Sequence, residues 1–231
     1  MAPRRHIIPA LVAFGTLAGC ASSGPAPLPT VATGENADVS IDGLVRMDNS
    51  VFTLGYSKPD LDLSPYTAFI IDPVSVAYQK DPRGRTRNSP DANFELSARQ
   101  METLKEVFHE EIVEALGEDD GYQLVEEPAA NALRLTAYLI DLVVRFPTER
   151  GGRTDTFVSS YGEVTLIVEA RDSQSGEILA RIGERGDPTS TTRDLAEVNS
   201  TFVRSDLTRM FGHWAQTMRE RLDQLREVAS M

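Results

Sequence analysis

Residues 164–181 read VTLIVEARDSQSGEILAR, and the fold follows from them. Val164, Leu166, Val168 and Ala170 alternate with Thr165 and Glu169, a period of two that gives a strand one apolar and one wet face. Ser173-Gln174-Ser175-Gly176 is turn chemistry, and Glu177–Ile182 returns as a further strand. The alternation extends back to Thr156. Before it, Ala132–Phe146 repeats the pattern, with Leu133, Leu135, Ala137 and Leu139 opposed to Arg134, Thr136 and Tyr138. Clean alternation in consecutive strands predicts a mostly antiparallel sheet with one buried face.

The flanks supply what covers that face. Ser97 reads as a helix N-cap, Gln100 completes a capping box, and Leu96 and Met101 form a hydrophobic staple. Met101, Leu104, Phe108, Ile112 and Ala115 then recur at helical spacing, and Gly117 is the expected stop. A second helix runs from about residue 200 to Val228, with Val203, Leu207, Met210, Trp214, Met218, Leu222 and Leu225 on one stripe and Phe211 widening it. Its roughly 42 Å length matches strands of roughly 50 Å, so it can lie along the hairpin. Tyr66–Tyr78 is strand material interrupted at Pro73, and Tyr122–Val125 is a short strand. The expected fold is α+β: a mostly antiparallel sheet with two helices packed on one face, preceded by a disordered tether.

Three segments divide the chain. In residues 1–19 Arg4 and Arg5 precede an apolar run from Ile7 to Ala18. That run spans roughly 18 Å as a helix, short of a hydrocarbon core of about 30 Å, so it reads as a cleavable export signal. It ends in Leu17-Ala18-Gly19-Cys20, which resembles the bacterial lipobox. Cys20 is the single cysteine and the expected lipidation site, so the mature protein has neither a free thiol nor a disulfide. Bacterial lipoproteins of this type carry two or three acyl chains, and two already anchor stably. Residue 21 is Ala rather than Asp, which in that class implies the outer membrane, facing the periplasm. Residues 20–40, with Pro25, Pro27, Pro29, Gly24 and Gly34, read as the flexible tether. Residues 41–231 form one α+β domain, in which 41–65, broken by Pro59 and Pro65, is expected as a strap across it.

Removing the signal takes two cations from a net charge of −12, leaving about −14. Such an acidic body does not bind nucleic acid through a general basic field. It is repelled by anionic headgroups, so the lipid on Cys20, not the protein surface, is the expected contact with the outer membrane.

Motifs for chemistry are few. His6 leaves with the signal, and His109 and His213 flank helix stripes at no metal-ligand spacing. Ser159-Ser160-Tyr161-Gly162 lacks the nucleophile elbow, and Glu118-Asp119-Asp120-Gly121 lacks the alternation of a calcium loop. Neither a catalytic residue, a metal site nor a cofactor is expected. Two surfaces stand out instead. Lys80, Arg83, Arg85 and Arg87 form a basic loop, either solvated or in contact with phosphate on lipid or glycolipid. Ile140, Leu142, Val144 and Ile167 fall on the wet face by strand period, an apolar patch that needs cover. The strap, an unidentified envelope protein or a lipid would supply it. Asp141 falls between Leu139 and Val143 on the buried face and is expected to pair with an arginine.

Three stretches carry a family resemblance: Tyr66–Val76 (YTAFIIDPVSV), Val164–Arg181, and Trp214-Ala215 to Leu222-Asp223. They resemble an uncharacterised family of Gram-negative lipoproteins catalogued as a domain of unknown function, over most of residues 41–228. More distantly, strand–helix–strands–helix behind a lipobox is similar to accessory lipoproteins of envelope ABC transporters and to the lipopolysaccharide-assembly lipoprotein. That likeness is one of fold, and fold does not fix function. The resemblance implies a non-enzymatic envelope accessory or interaction protein. The other expectation is a lipid or glycolipid carrier with a cavity between sheet and helices.

Overall fold

The structure, a computed structural model, describes residues 27–34, 37–80, 95–144, 162–187 and 200–229. Its strands are β1 (Thr30–Val31), β2 (Val45–Asp48), β3 (Leu54–Ser57), β4 (Ala68–Ile71), β5 (Ser75–Tyr78), β6 (Gln123–Leu124), β7 (Ala132–Val144), β8 (Gly162–Asp172) and β9 (Ile178–Gly186). The helices are α1 (Ala98–Gly117) and α2 (Ser200–Ala229). The strands form one sheet in the order β1-β2-β3-β9-β8-β7-β4-β6, with β5 also paired to β7. Pairing is antiparallel from β1 to β7 along this order, and parallel where β4 and β5 meet β7 and where β6 meets β4. Parallel neighbours require a crossover, and α1 provides it between β5 and β7.

Both helices pack on one face, as expected. Leu104, Phe108, Ile112 and Ala115 of α1 and Leu207, Phe211, Trp214 and Met218 of α2 are buried with Leu133, Leu135, Leu139, Leu166 and Val168 of the sheet. The capping box is present: the Gln100 amide donates to the Ser97 hydroxyl at 3.3 Å, and the Ser97 amide donates to the Gln100 side chain at 2.9 Å. α1 ends at Gly117, and the left-handed residue beyond it is Asp119 (φ 53°). Its last carbonyls are capped across the interface. Arg219 Nη1 donates to the carbonyls of Ala115, Leu116 and Glu118, each at 3.0 Å. The same guanidinium lies over the Tyr122 ring, 5.2 Å from its centroid. Its Nε donates to Asp223 Oδ2 at 2.7 Å, and Tyr122 Oη donates to Asp223 Oδ1 at 3.0 Å. These bonds hold the C-terminal half of α2 against the end of α1.

Two expectations are corrected here. Residues 41–65 are not simply a strap. They contain β2 and β3, and β3 pairs antiparallel with β9 from Leu54 opposite Gly183 to Ser57 opposite Ala180. The edge of β9 is thereby paired rather than left open, and Pro59 and Pro65 fall outside the strands. Nor do all of residues 20–40 form a free tether. Thr30 and Val31 pair with Asp48 and Met47, and the Ala32 amide donates to the Arg46 carbonyl at 2.9 Å. An extended, proline-rich segment suits an edge position. Part of the strap expectation survives in the turn Ser40–Leu44. Arg46 is on the sheet face away from the helices, beside Tyr56 and Arg181. Leu44, two residues earlier, has no exposed surface and lies outside the main core.

Candidate functional site: an apolar cavity under the sheet

On the face away from the helices, charged groups are spent on one another. Arg171 Nη2 and Arg181 Nη2 both donate to Glu169, at 2.5 and 2.7 Å, and Arg181 also pairs with Asp42. The Arg181 hydrogen bond, aided by one from Ser40, holds the Asp42 carboxyl down to about 2. Arg134 and Thr136 donate to Asp72 at 2.6 and 2.8 Å. At the β8–β9 turn, burial and a hydrogen bond to Asp172 push the Tyr66 hydroxyl up to about 12. Hydrogen bonds from the Ser175 amide and hydroxyl hold the Asp172 carboxyl down as well. Groups with shifted pKa values are often functional; these three, Asp42, Asp172 and Tyr66, join the turns to the sheet.

Asp141 is not a buried, paired acid. It is exposed, with φ 52°. Ile140 pairs with Thr165 and Val143 with Glu163, so β7 carries one extra residue. This is a β-bulge, and Asp tolerates the left-handed conformation it needs. Gly162 accommodates the bulge, since a Cβ there would lie 2.0 Å from the Val143 carbonyl oxygen.

The bulge also dissolves the predicted patch. One inserted residue reverses the facing of everything beyond it. Leu142 is therefore buried in the core, and Val144 packs against the core from its edge. Ile140 and Ile167 remain on the outer face, half-buried. Ile167 is opposite Gly183, and its Cδ1 occupies the place of the missing side chain, 3.0 Å from where a Cβ would stand. The four residues are thus not one surface.

Lys80 is exposed just beyond β5, while Arg83, Arg85 and Arg87 lie outside the described residues, as does Cys20. His109 and His213 are exposed on their helices. Among the described residues, no three His, Cys, Asp or Glu side chains group to hold a metal. No described helix is long and apolar enough to cross a membrane.

The site lies on the helix side of the sheet, where the carrier expectation put a cavity, though none of its lining residues was singled out from the sequence. It is a cavity of about 100 Å³, partly open, between β7–β8–β9, the C-terminal half of α2 and the segment around β2 and β3. Pairing across the strands explains it. Leu135 faces Ala170, Ala170 faces Ala180, and Ala180 faces Ser57. One row of the inner face therefore ends in three small side chains, two of which, Ala170 and Ala180, border the cavity. Phe52, Leu61 and Leu63 form one wall, and Met218, Leu222 and Leu225 of α2 the other. Pro29, Met47 and Val51 contribute further lining. Arg221 alone among the lining residues carries a charge. Its Nη1 donates to Gln224 Oε1 at 2.7 Å and, at 3.4 Å, to the carbonyl of Pro27. The one signal in the sequence was the pair of alanines flanking the β8–β9 turn, and only the strand register places them face to face.

No curated protein matches the chain. Among solved structures it is similar to a Xanthomonas campestris protein of the DUF330 family, at 12% identity over 76% of this chain and 94% of that one, with a TM-score of 0.39. It is also similar to the PelC dodecamer from Paraburkholderia phytofirmans, at 12% identity over 71% and 96%, with a TM-score of 0.35. The family profile described as "Protein of unknown function (DUF3313)" matches residues 40–218. That span holds every strand from β2 to β9, α1, most of α2 and the sheet side of the cavity, though not Leu222 and Leu225 of its α2 wall, and the chain belongs to the DUF3313 family.

Proposed function

We propose that this protein is a lipid-anchored, non-enzymatic accessory protein of the bacterial envelope, held at the periplasmic face of the outer membrane by an acylated Cys20. The observation that carries the reading is Leu17-Ala18-Gly19-Cys20 at the end of a short apolar run, with Ala at position 21. Cys20→Ser removes the acylated sulfur and is expected to release the protein from the outer-membrane fraction. Persistence of that variant in membranes after a high-salt wash would contradict the anchor.

A second reading is favoured by one observation, the apolar cavity: the domain binds lipid. Apolar clefts with one placed polar group are the usual form of small-molecule sites. Extraction of the purified protein with organic solvent is expected to yield stoichiometric lipid beyond its own anchor. Recovery of the anchor alone would leave the accessory role without a carrier function. The basic loop Lys80, Arg83, Arg85 and Arg87 is the corresponding candidate for contact with phosphate.

A further inference from the structure

We propose that residues 27–32 are a latch across the mouth of the apolar cavity, and that a lipid chain enters only when the latch lifts; this rests on the lipid-binding reading above and adds its regulation. The latch touches both sides of the opening. On the sheet side Thr30 and Val31 pair with Asp48 and Met47 of β2. On the helix side the Pro27 carbonyl accepts a hydrogen bond from Arg221 of α2 at 3.4 Å. Met47 and Arg221 both line the cavity, and so does Pro29, which lies between the two contacts in the chain. The floor at Phe69 and Leu133 is buried, whereas Met47, Leu222 and Leu225 are half-buried and Val51 is exposed. The latch therefore follows the rim at which the cavity meets solvent.

Size requires the movement. An apolar cavity of about 150 Å³ admits a single benzene. At about 100 Å³ this one is smaller, so it holds no lipid chain while the latch is in place. The forces that keep the latch down are small. No residue from 27 to 34 is buried, so little apolar surface is newly exposed when the segment leaves. Pro27 and Pro29 have no amide hydrogen to donate. β1 is only two residues long, and beyond it the Ala32 amide donates to the Arg46 carbonyl at 2.9 Å. β2 stays paired with β3 when β1 leaves, so the rest of the sheet is not disturbed. A terminal segment with few buried contacts opens at a small fraction of the free energy of global unfolding.

Locking the latch tests it. In full-length protein carrying Cys20→Ser, the added changes Thr30→Cys and Asp48→Cys put two thiols on opposed, exposed residues. Their Cα spacing of about 4.5–5.5 Å suits a disulfide. Binding of N-phenylnaphthylamine, a neutral dye of three aromatic rings and too large for the closed cavity, is followed by fluorescence. The reduced form is expected to bind the dye as the Cys20→Ser parent does, and the oxidised form about tenfold more weakly or not at all, because its open fraction is removed. Ala32→Pro in the same parent deletes the amide that bonds Arg46 and is expected to tighten dye binding about fivefold, the weight of one hydrogen bond. Native-state hydrogen exchange reads the latch without a ligand. The Ala32 amide is expected to exchange about a hundredfold faster than the Lys58 amide, which donates to the Leu179 carbonyl at 2.9 Å. Equal dye binding in the oxidised and reduced forms, or an Ala32 amide as protected as that of Lys58, overturns the latch while the lipid-binding reading stands. Absence of dye binding from the parent, the reduced form and Ala32→Pro alike overturns both.

Discussion

The two halves of α2 meet the same sheet on different terms. Around Phe211 and Trp214 the interface is closed. The Phe108 and Phe211 rings meet edge-on with centroids 5.3 Å apart, Phe211 is 5.7 Å from Trp214, and Leu139 and Leu166 beneath are fully buried. Two turns on, Leu222 and Leu225 are half-buried over a row of small side chains and border open space. Both halves carry a regular apolar stripe. The difference lies in the sheet: large residues fill the first half, while Ala170 and Ala180 leave the second unfilled. An amphipathic stripe thus predicts which face of a helix is inward, and the facing surface decides whether that face is packed.

The contrast can be broken by truncating each half. Phe211→Ala in the closed half is expected to cost about 3–5 kcal/mol, lowering the melting temperature by roughly 6–20 °C for a domain of this size. Leu222→Ala beside the cavity enlarges a space that already exists and is expected to cost only about 1 kcal/mol. Equal losses, measured by thermal unfolding, would erase the distinction. At the bulge, Asp141→Val forces a β-branched residue to φ 52° and is expected to cost about 1–2 kcal/mol, whereas Asp141→Gly is expected to be nearly silent.

The smallest effect concerns the turn that folds onto the outer face. Asp42 has its pKa depressed from the ordinary 3.8 to about 2, so the folded state favours its charged form. Its contribution is therefore present at neutral pH and is lost as pH falls from about 4 through about 2. Partial exposure limits it to about 1 kcal/mol. Asp42→Asn is expected to melt about 2–4 °C lower at pH 7 and to match the parent near pH 2.

Local signals were legible and non-local ones were not. The capping box at Ser97, the stripe of α2 and the alternation of β7 and β8 depend on neighbours within a few residues, and each appears where the pattern put it. β2 and β3 are only four residues each, and β3 owes its place to β9, more than a hundred residues away. The bulge escaped because strand counting assumes no insertion; one extra residue at Asp141 carried Leu142 into the core and split the expected patch. A cavity between sheet and helices was expected, but the residues that form it escaped for a related reason. Ala170 and Ala180 look unremarkable singly, and their adjacency is a property of register.

The central claim is that Ala170 and Ala180 hold open a space beside α2. Ala180→Leu tests it most directly, by thermal unfolding. If the space is open, the added side chain buries itself there, and the variant melts at or above the parent. If the row is already packed, overpacking is expected to cost about 1–3 kcal/mol. A melting temperature lower by several degrees would contradict the account.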